Sequence, residues 1–422
     1  MRDLTPDLAG QVGQRLDARL DAGPGAPLAV ALSGGGDSLA LTLLAAEWAR
    51  RRDRPLLVLT VDHGLNPASV AWTRACADTA GRIGAQFQAL QWRGPHPSSG
   101  LPAAARRARH ALLAEAARTA GARVILMGHT ADDVAEAARM RRSGSTTPSP
   151  REWSPSPAWP EGRGIFLLRP LLETRREALR AWLAAWGETW IDDPANADPR
   201  FARSRARAGL AMAGDPAPPH PEPAGEGGLL AAQVRQTDFG LALDRAAFRR
   251  ADLPEALRVA GAACLAAAGT SRPPRAAALR ALRDQLAGDS AVQASLAGAE
   301  VLVRDGQILW GRTAGEMARS GARDLVLAAG ETGVFDGRFE VDADGPVTVT
   351  RLAGRIARLA STSRARLAAV PPAFRGGLPA VERRDGVHLA GAPGSGVRLR
   401  PLALGRFAAA CGAVASESGL TG

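Results

Sequence analysis

Over the first half of the chain, short apolar runs alternate with stretches whose apolar residues recur every three or four positions. Residues 28–32, 55–61, 87–92 and 123–127 have the length and flanks of buried strands. Between them lie helical patterns. Residues 1–25 carry Leu8, Val12, Leu16 and Leu20 on one stripe, residues after 38 carry Leu41, Leu44, Ala45 and Trp48, and 69–83 and 101–119 read as two further helices. This alternation predicts an α/β domain, a Rossmann-like parallel sheet with helices on both faces, in which ligands bind beyond the carboxyl ends of the strands.

The pattern then becomes irregular. Residues 143–164 are rich in Pro and Ser and read as a long loop, in which Trp153 and Trp159 either stack on bases or pin the loop to the body. Thr174 to Glu177 has the spacing of a capping box, followed by a helix with Leu179, Trp182, Leu183 and Trp186 on one face and a stop at Gly187. A Pro/Gly/Glu linker at 214–228 is expected to separate a domain at 1–213 from the rest. Residues 229–291 read as helical. Asp305-Gly306, Asp336-Gly337 and Asp385-Gly386 mark hairpin turns, and 355–369 reads as another helix. The expectation is a helical and hairpin domain at 229–318 and a small α+β domain at 319–422.

Charge changes the picture. The 422 residues carry a formal net charge of +11, and since the chain contains no lysine all 53 basic residues are arginine. Such an excess favours a polyanionic partner, because the guanidinium fork matches phosphate; an arginine-rich codon bias is the plainer alternative. Cys76, Cys264 and Cys411 are too scattered for a disulfide framework or a zinc site. No apolar run approaches ~18 residues, so the reading is a cytoplasmic protein with no membrane partner, a monomer or homodimer.

The first strand breaks into Ser33-Gly34-Gly35-Gly36-Asp37-Ser38, and a helical pattern follows at once. A strand feeding a glycine turn that opens a helix is a common anion cradle, since glycines admit close approach and the first helical amides lack internal acceptors. The nucleotide P-loop requires a lysine, and a dinucleotide fingerprint would need glycine at position 39, where Leu39 stands. Two other strand ends share the rim. One is Asp62-His63-Gly64, and the other is Gly128-His129, which leads into Asp133 and Glu136. These two carboxylates lie three apart at a helix start, suited to Mg²⁺ or to an ammonium group, or serving merely as acids at a helix N-terminus.

The Ser33–Ser38 loop resembles the S-G-G-x-D-S signature of the PP-loop ATP pyrophosphatases. As a set, the loop, the Val61-Asp62-His63-Gly64-Leu65 strand end, Ala105 to His110, Gly128 to Glu136, Arg169-Pro170-Leu171-Leu172, Asp192-Asp193-Pro194-Ala195-Asn196 and Phe201 to Arg207 are similar to the tRNA(Ile)-lysidine synthase family, covering about residues 25–210. The resemblance implies ATP and Mg²⁺ as cofactors, with Ser33, Gly34, Gly35, Gly36, Asp37, Ser38, Asp62 and His63 at the nucleotide and Asp37 on the metal. It implies catalytic roles for Asp37, His129, Asp133 and Glu136, and tRNA contacts from Arg106, Arg109, Asn196, Arg203, Arg205 and Arg207. The implied reaction adenylates the C2 oxygen of the wobble cytidine in an isoleucine tRNA with a CAU anticodon. Free L-lysine then displaces AMP. Another PP-loop RNA-modifying ligase, or a degenerate tRNA-binding relative, are the alternatives. Three positions depart from the family pattern: His110 stands for tyrosine, Thr130 for a frequent second histidine, and Ala137 for threonine.

Overall fold

The computed structural model describes residues 7–22, 25–145, 149–193, 202–212, 228–384 and 386–420. Most of the expected linker, and with it Asn196 and Asp385, lies outside them. The chain forms two units, one of residues up to 224 joined by 414–422, the other of residues 225–413.

The first unit is built on a six-stranded sheet. In chain order it contains α1 (Leu8–Arg19), β1 (Leu28–Ala31), α2 (Gly36–Arg51), β2 (Leu56–Asp62), α3 (Ser69–Arg82), β3 (Gln86–Gln91), α4 (Leu101–Thr119), β4 (Val124–Leu126) and α5 (Ala131–Arg142). There follow β5 (Trp153–Pro155), β6 (Phe166–Leu168), α6 (Arg176–Ala185) and α7 (Ala202–Met212). The strand order is β3-β2-β1-β4-β6-β5, parallel throughout except for β5. Leu28 pairs with Leu56 on one side of β1, and Ala29 with Ile125 on the other. Consecutive residues Leu56, Leu57, Val58 and Leu59 are all buried, as a parallel strand covered on both faces requires. Leu113, Ala114 and Ala117 of α4 close one face over Leu57, Leu59 and Ile125. Because β1 leads to β2 on one side while β4 lies on the other, the order reverses at β1/β4, and the glycine loop sits at that switch point.

Two expectations give way here. The 143–164 stretch is not structureless: β5 pairs antiparallel with β6, and Trp153 is 4% exposed, stacked on Phe166 at 4.9 Å. Its Nε1–H donates to the Val414 carbonyl at 2.7 Å, meeting the need of a buried indole for an acceptor. Trp153 is therefore a core residue and not a base-stacking platform. The second is the capping box at Thr174. Helix α6 starts two residues later, its N-cap Arg175 makes no side-chain cap bond, and the Arg176 amide donates to Asp132 Oδ2 at 2.8 Å. A carboxylate from another helix does the capping. Within α6 only Leu179 and Leu183 are buried, and Trp186 just beyond it is 72% exposed.

Residues 414–422 extend the first unit. Glu417 forks onto Arg54 at 2.8 and 2.5 Å and accepts from the Asp21 amide at 3.0 Å, both side chains being almost fully buried. Arg19 and Arg123 donate to the carbonyls of Ala415 and Leu420 at 2.8 and 2.7 Å. A segment distant in sequence thus ties α1, the start of β2, and the strands β4 and β5 together.

The second unit opens with two strands, β7 (Arg235–Thr237) and β8 (Gly240–Asp244), where the sequence suggested helix. They are short, and only the apolar Gly240-Leu241-Ala242-Leu243 stretch is buried. Next come α8 (Arg245–Arg250), α9 (Leu253–Ala268), α10 (Ala276–Ala287), β9 (Gln293–Leu296), β10 (Ala299–Arg304) and β11 (Gln307–Gly311). The five strands order as β7-β8-β11-β10-β9, so the expected 301–310 hairpin is the middle of a larger sheet, packed on the alanine-lined α9. Beyond it a four-stranded and a three-stranded antiparallel sheet complete the unit. Asp305 (φ 49°) with Gly306 (72°), and Asp336 (53°) with Gly337 (65°), are left-handed pairs at hairpin tips. The 355–369 helix is broken into a 3₁₀ turn at Ile356–Arg358 and a helix at Ser361–Ala368.

Several arginines of this unit hold it together. Arg375 Nε donates to the Val370 carbonyl at 2.8 Å, and Arg383 forks onto the Ser395 carbonyl at 3.0 and 2.7 Å. Arg406 is buried against the Thr270 carbonyl, and burial lowers its pKa to about 9. Part of the basic excess is therefore structural.

Candidate functional site

The glycine loop is shaped by what packs on it. Gly34 has φ 84°, and a side chain there would meet Ile191, whose amide donates to the Gly34 carbonyl at 3.0 Å. The Trp190 ring lies 3.3–3.5 Å from where a Gly36 Cβ would stand. A Cβ on Gly128 would come within 3.0–3.1 Å of the Asp37–Ser38 backbone. Three glycines thus let β4 and the Trp190–Ile191 segment close on the start of α2. Ser38 Oγ accepts from the Ser33 amide (3.2 Å), donates to the Gly35 carbonyl (2.9 Å) and meets Ser33 Oγ at 3.1 Å, which locks the turn. Gly35 is the N-cap and the Leu39 amide bonds its carbonyl at 2.9 Å, so the amides of Gly36, Asp37 and Ser38 precede the first helical hydrogen bond. They form an anion cradle at a sixteen-residue helix.

Beside the cradle stands a carboxylate cluster organised by one arginine. Arg176 Nε donates to Asp37 Oδ2 at 2.9 Å, while its terminal nitrogens lie 3.7 Å from Asp133 Oδ2 and 3.5 Å from Glu136 Oε1. Burial raises the Asp37 pKa against the lowering effect of Arg176. Asp133 Oδ2 also caps α5, accepting from the Thr130 amide at 2.9 Å and the Thr130 hydroxyl at 3.1 Å. Thr130, where the family often has histidine, thereby serves the helix start. Glu136 is 1% exposed. Its Oε1 accepts from Arg207 Nε at 2.8 Å, while its Oε2 is buried without a partner. An acceptor left unsatisfied in this way costs on the order of 1–3 kcal/mol unless something supplies a donor.

The rest of the rim is basic. Arg169 Nε donates to His129 Nδ1 at 3.2 Å, which leaves the His129 proton on Nε2, and Arg169 is held by the Arg151 carbonyl (2.7 Å) and Ser154 Oγ (3.0 Å). Burial, then Arg106 and Arg109, lowers the Arg169 pKa to about 10. His110 is pushed down to about 2, by burial first and then by Arg109, Arg106, Arg169 and His129. Burial and Arg109 also lower His63. Arg109 therefore stands near both the β2 and β6 ends. Asp62 Oδ1 accepts from the Gly64 amide at 2.8 Å, so this carboxylate shapes its own turn.

The structure thus gathers Ser33, Gly34, Gly35, Gly36, Asp37, Ser38, Asp133 and Glu136 around the start of α2, with His129, Arg106 and Arg109 along the same rim. Arg203 lies on α7, Arg205 is exposed, and Arg207 turns onto Glu136. Arg176 and Arg169 were not singled out as site residues in the sequence. Arg176 sits within an apparent capping motif, and its three acidic partners lie 40 or more residues away.

Among the described residues no group of three His, Cys, Asp or Glu side chains is arranged to hold a metal ion. Mg²⁺ commonly takes only one or two carboxylates and completes its shell from substrate phosphates and water, a demand that Asp37 would meet.

Comparison with known proteins agrees with this geometry. Residues 9–213 match the PP-loop domain family ATP_bind_3. A tRNA(Ile)-lysidine synthase of Caulobacter vibrioides is 46% identical over 97% of this chain and 98% of its own length. That of Methylobacterium sp. is 37% identical over 84% of this chain and 98% of its own length. With the cradle, its neighbouring carboxylates and this end-to-end similarity together, the chain belongs to the tRNA(Ile)-lysidine synthase family.

Proposed function

We propose that this protein forms lysidine on an isoleucine tRNA with a CAU anticodon, in two steps at the first unit. The C2 oxygen of the wobble cytidine attacks the α-phosphorus of ATP and pyrophosphate leaves. The amine of L-lysine then attacks C2, a proton is lost and AMP departs. The amides of Gly36 to Ser38 would receive the pyrophosphate, whose charge builds as it leaves. Mg²⁺, when bound at Asp37 and the phosphates, would neutralise part of that charge.

The observation that carries the reading is the buried, unpartnered Glu136 Oε2 beside the anion cradle. It calls for a donor, and a lysine ammonium supplies three. Multiple-turnover AMP release that requires both L-lysine and tRNA tests the reaction, since adenylation alone releases pyrophosphate but keeps AMP on the tRNA. Glu136→Gln should raise the KM for lysine about tenfold or more with little change for ATP. Sustained AMP release without lysine, or an equal effect on both substrates, would reject the assignment.

The same proposal gives tRNA selection to the second unit, since a pocket for one cytidine cannot tell apart tRNAs that share an anticodon. Arg384 and Arg398 are exposed there. Reversing both charges should weaken tRNA binding and flatten its salt dependence, read by filter binding.

A further inference from the structure

Arg176 occupies a position of particular interest. A single guanidinium bridges Asp37, beside the anion cradle, and the Asp133/Glu136 pair, where the reading above places a substrate amine. Each cation entering the site must therefore compete with the same arginine. The backbone at Arg176 is fixed independently, through its amide to Asp132 Oδ2 at 2.8 Å, so the side chain can leave without moving α6. When it does, Glu136 keeps Arg207 on Oε1. The unpartnered Oε2 shows that Arg176 and Arg207 satisfy Glu136 only in part.

We propose that Arg176 is a shared surrogate cation that couples the two subsites. Occupation of Asp37 by Mg²⁺ with nucleotide draws Arg176 off that carboxylate and frees it to follow the phosphates. Its hold on Asp133 and Glu136 is released, and the amine subsite opens. By linkage, lysine favours the nucleotide complex to the same degree. The order of events follows: lysine binds weakly to the free enzyme and tightly once ATP is seated. This rests on the lysine reading of the site and adds to it a positioning residue that touches neither reacting atom.

The test is calorimetric and needs no turnover. L-lysine is titrated into wild type and Arg176→Gln, each with and without Mg²⁺ and a non-hydrolysable ATP analogue. Wild type should bind lysine about fivefold or more tightly when the analogue is present. In Arg176→Gln the free enzyme should bind lysine more tightly than free wild type, and the analogue should change that affinity less than twofold. A purely structural role would weaken lysine binding in both states and leave the ratio intact, which overturns the proposal. If wild type binds lysine in neither state, the lysine reading fails and the proposal with it. Should Arg176→Gln not fold, Arg176→Lys serves. Its point charge cannot fork across Asp37 and Glu136, so the ratio should fall below that of wild type, and an unchanged ratio is again the refuting result.

Discussion

Replacing Glu417 by alanine tests whether residues 414–422 complete the first unit. In the native protein Arg54 is 1% exposed at its side chain and forks onto Glu417, which is 4% exposed, while Arg54 Nε reaches the Ala26 carbonyl at 2.9 Å. Removing the carboxylate leaves a guanidinium buried without its counter-charge and the Asp21 amide without an acceptor. Breaking a buried pair from one side costs about 3–5 kcal/mol. For a unit of this size each kcal/mol moves the midpoint by about 2–4 °C, so the first-unit transition should fall by about 6–20 °C. Scanning calorimetry is the assay, because two units need not melt together. Arg54→Met with Glu417→Leu removes both charges and should recover roughly half the loss or more. A Glu417→Ala transition within about 2 °C of wild type would show that the pair is not holding the unit closed, and that the tail is an ornament on an already complete fold.

Other expectations follow from single contacts. Gly128→Ala should lower ATP turnover severalfold, because its Cβ would stand 3.0–3.1 Å from the Asp37–Ser38 backbone and push it by a few tenths of an ångström; AMP release measures it, and normal turnover refutes the close approach. Burial pushes Cys264 up to about 12 and raises Cys76 and Cys411. All three thiols should thus resist Ellman's reagent near pH ~8 and react on unfolding. His110, at about 2 when folded and near 6.5 when unfolded, takes up its proton only in the unfolded chain over that range. Its contribution to stability is intact above pH 6.5 and is lost as the pH falls, by up to about 1.4 kcal/mol per pH unit. His110→Tyr should flatten that acid slope in denaturant titrations, and an unchanged slope would count against the burial argument.

What the sequence made legible was local. The strand, glycine turn and helix around Ser33–Ser38 follow one another directly, so periodicity and turn chemistry were enough to place the cradle. The α/β alternation did the same for β1 to β4. The failures are long-range. Arg176 draws its meaning from Asp37, 139 residues away. Trp153 becomes core only because β6 and Val414 come to it. Strands β7 and β8 are too short to carry a period of their own, and they exist because β11 offers an edge. Arginines at 375, 383 and 406 look like any surface charge until the carbonyls they serve are known.

The late arrival of residues 414–422 has a consequence for biosynthesis. About 190 residues are translated between the body of the first unit and the segment that completes it, some 10–40 s at ~5–20 residues per second. Throughout that interval Arg54 has no Glu417, and the Trp153 indole has no Val414. The ATP-binding half of the nascent chain emerges first yet matures last. A ribosome that stalls anywhere in the second half therefore leaves not an intact first domain short of a neighbour but a first unit without the tail that joins α1, the start of β2 and strand β5.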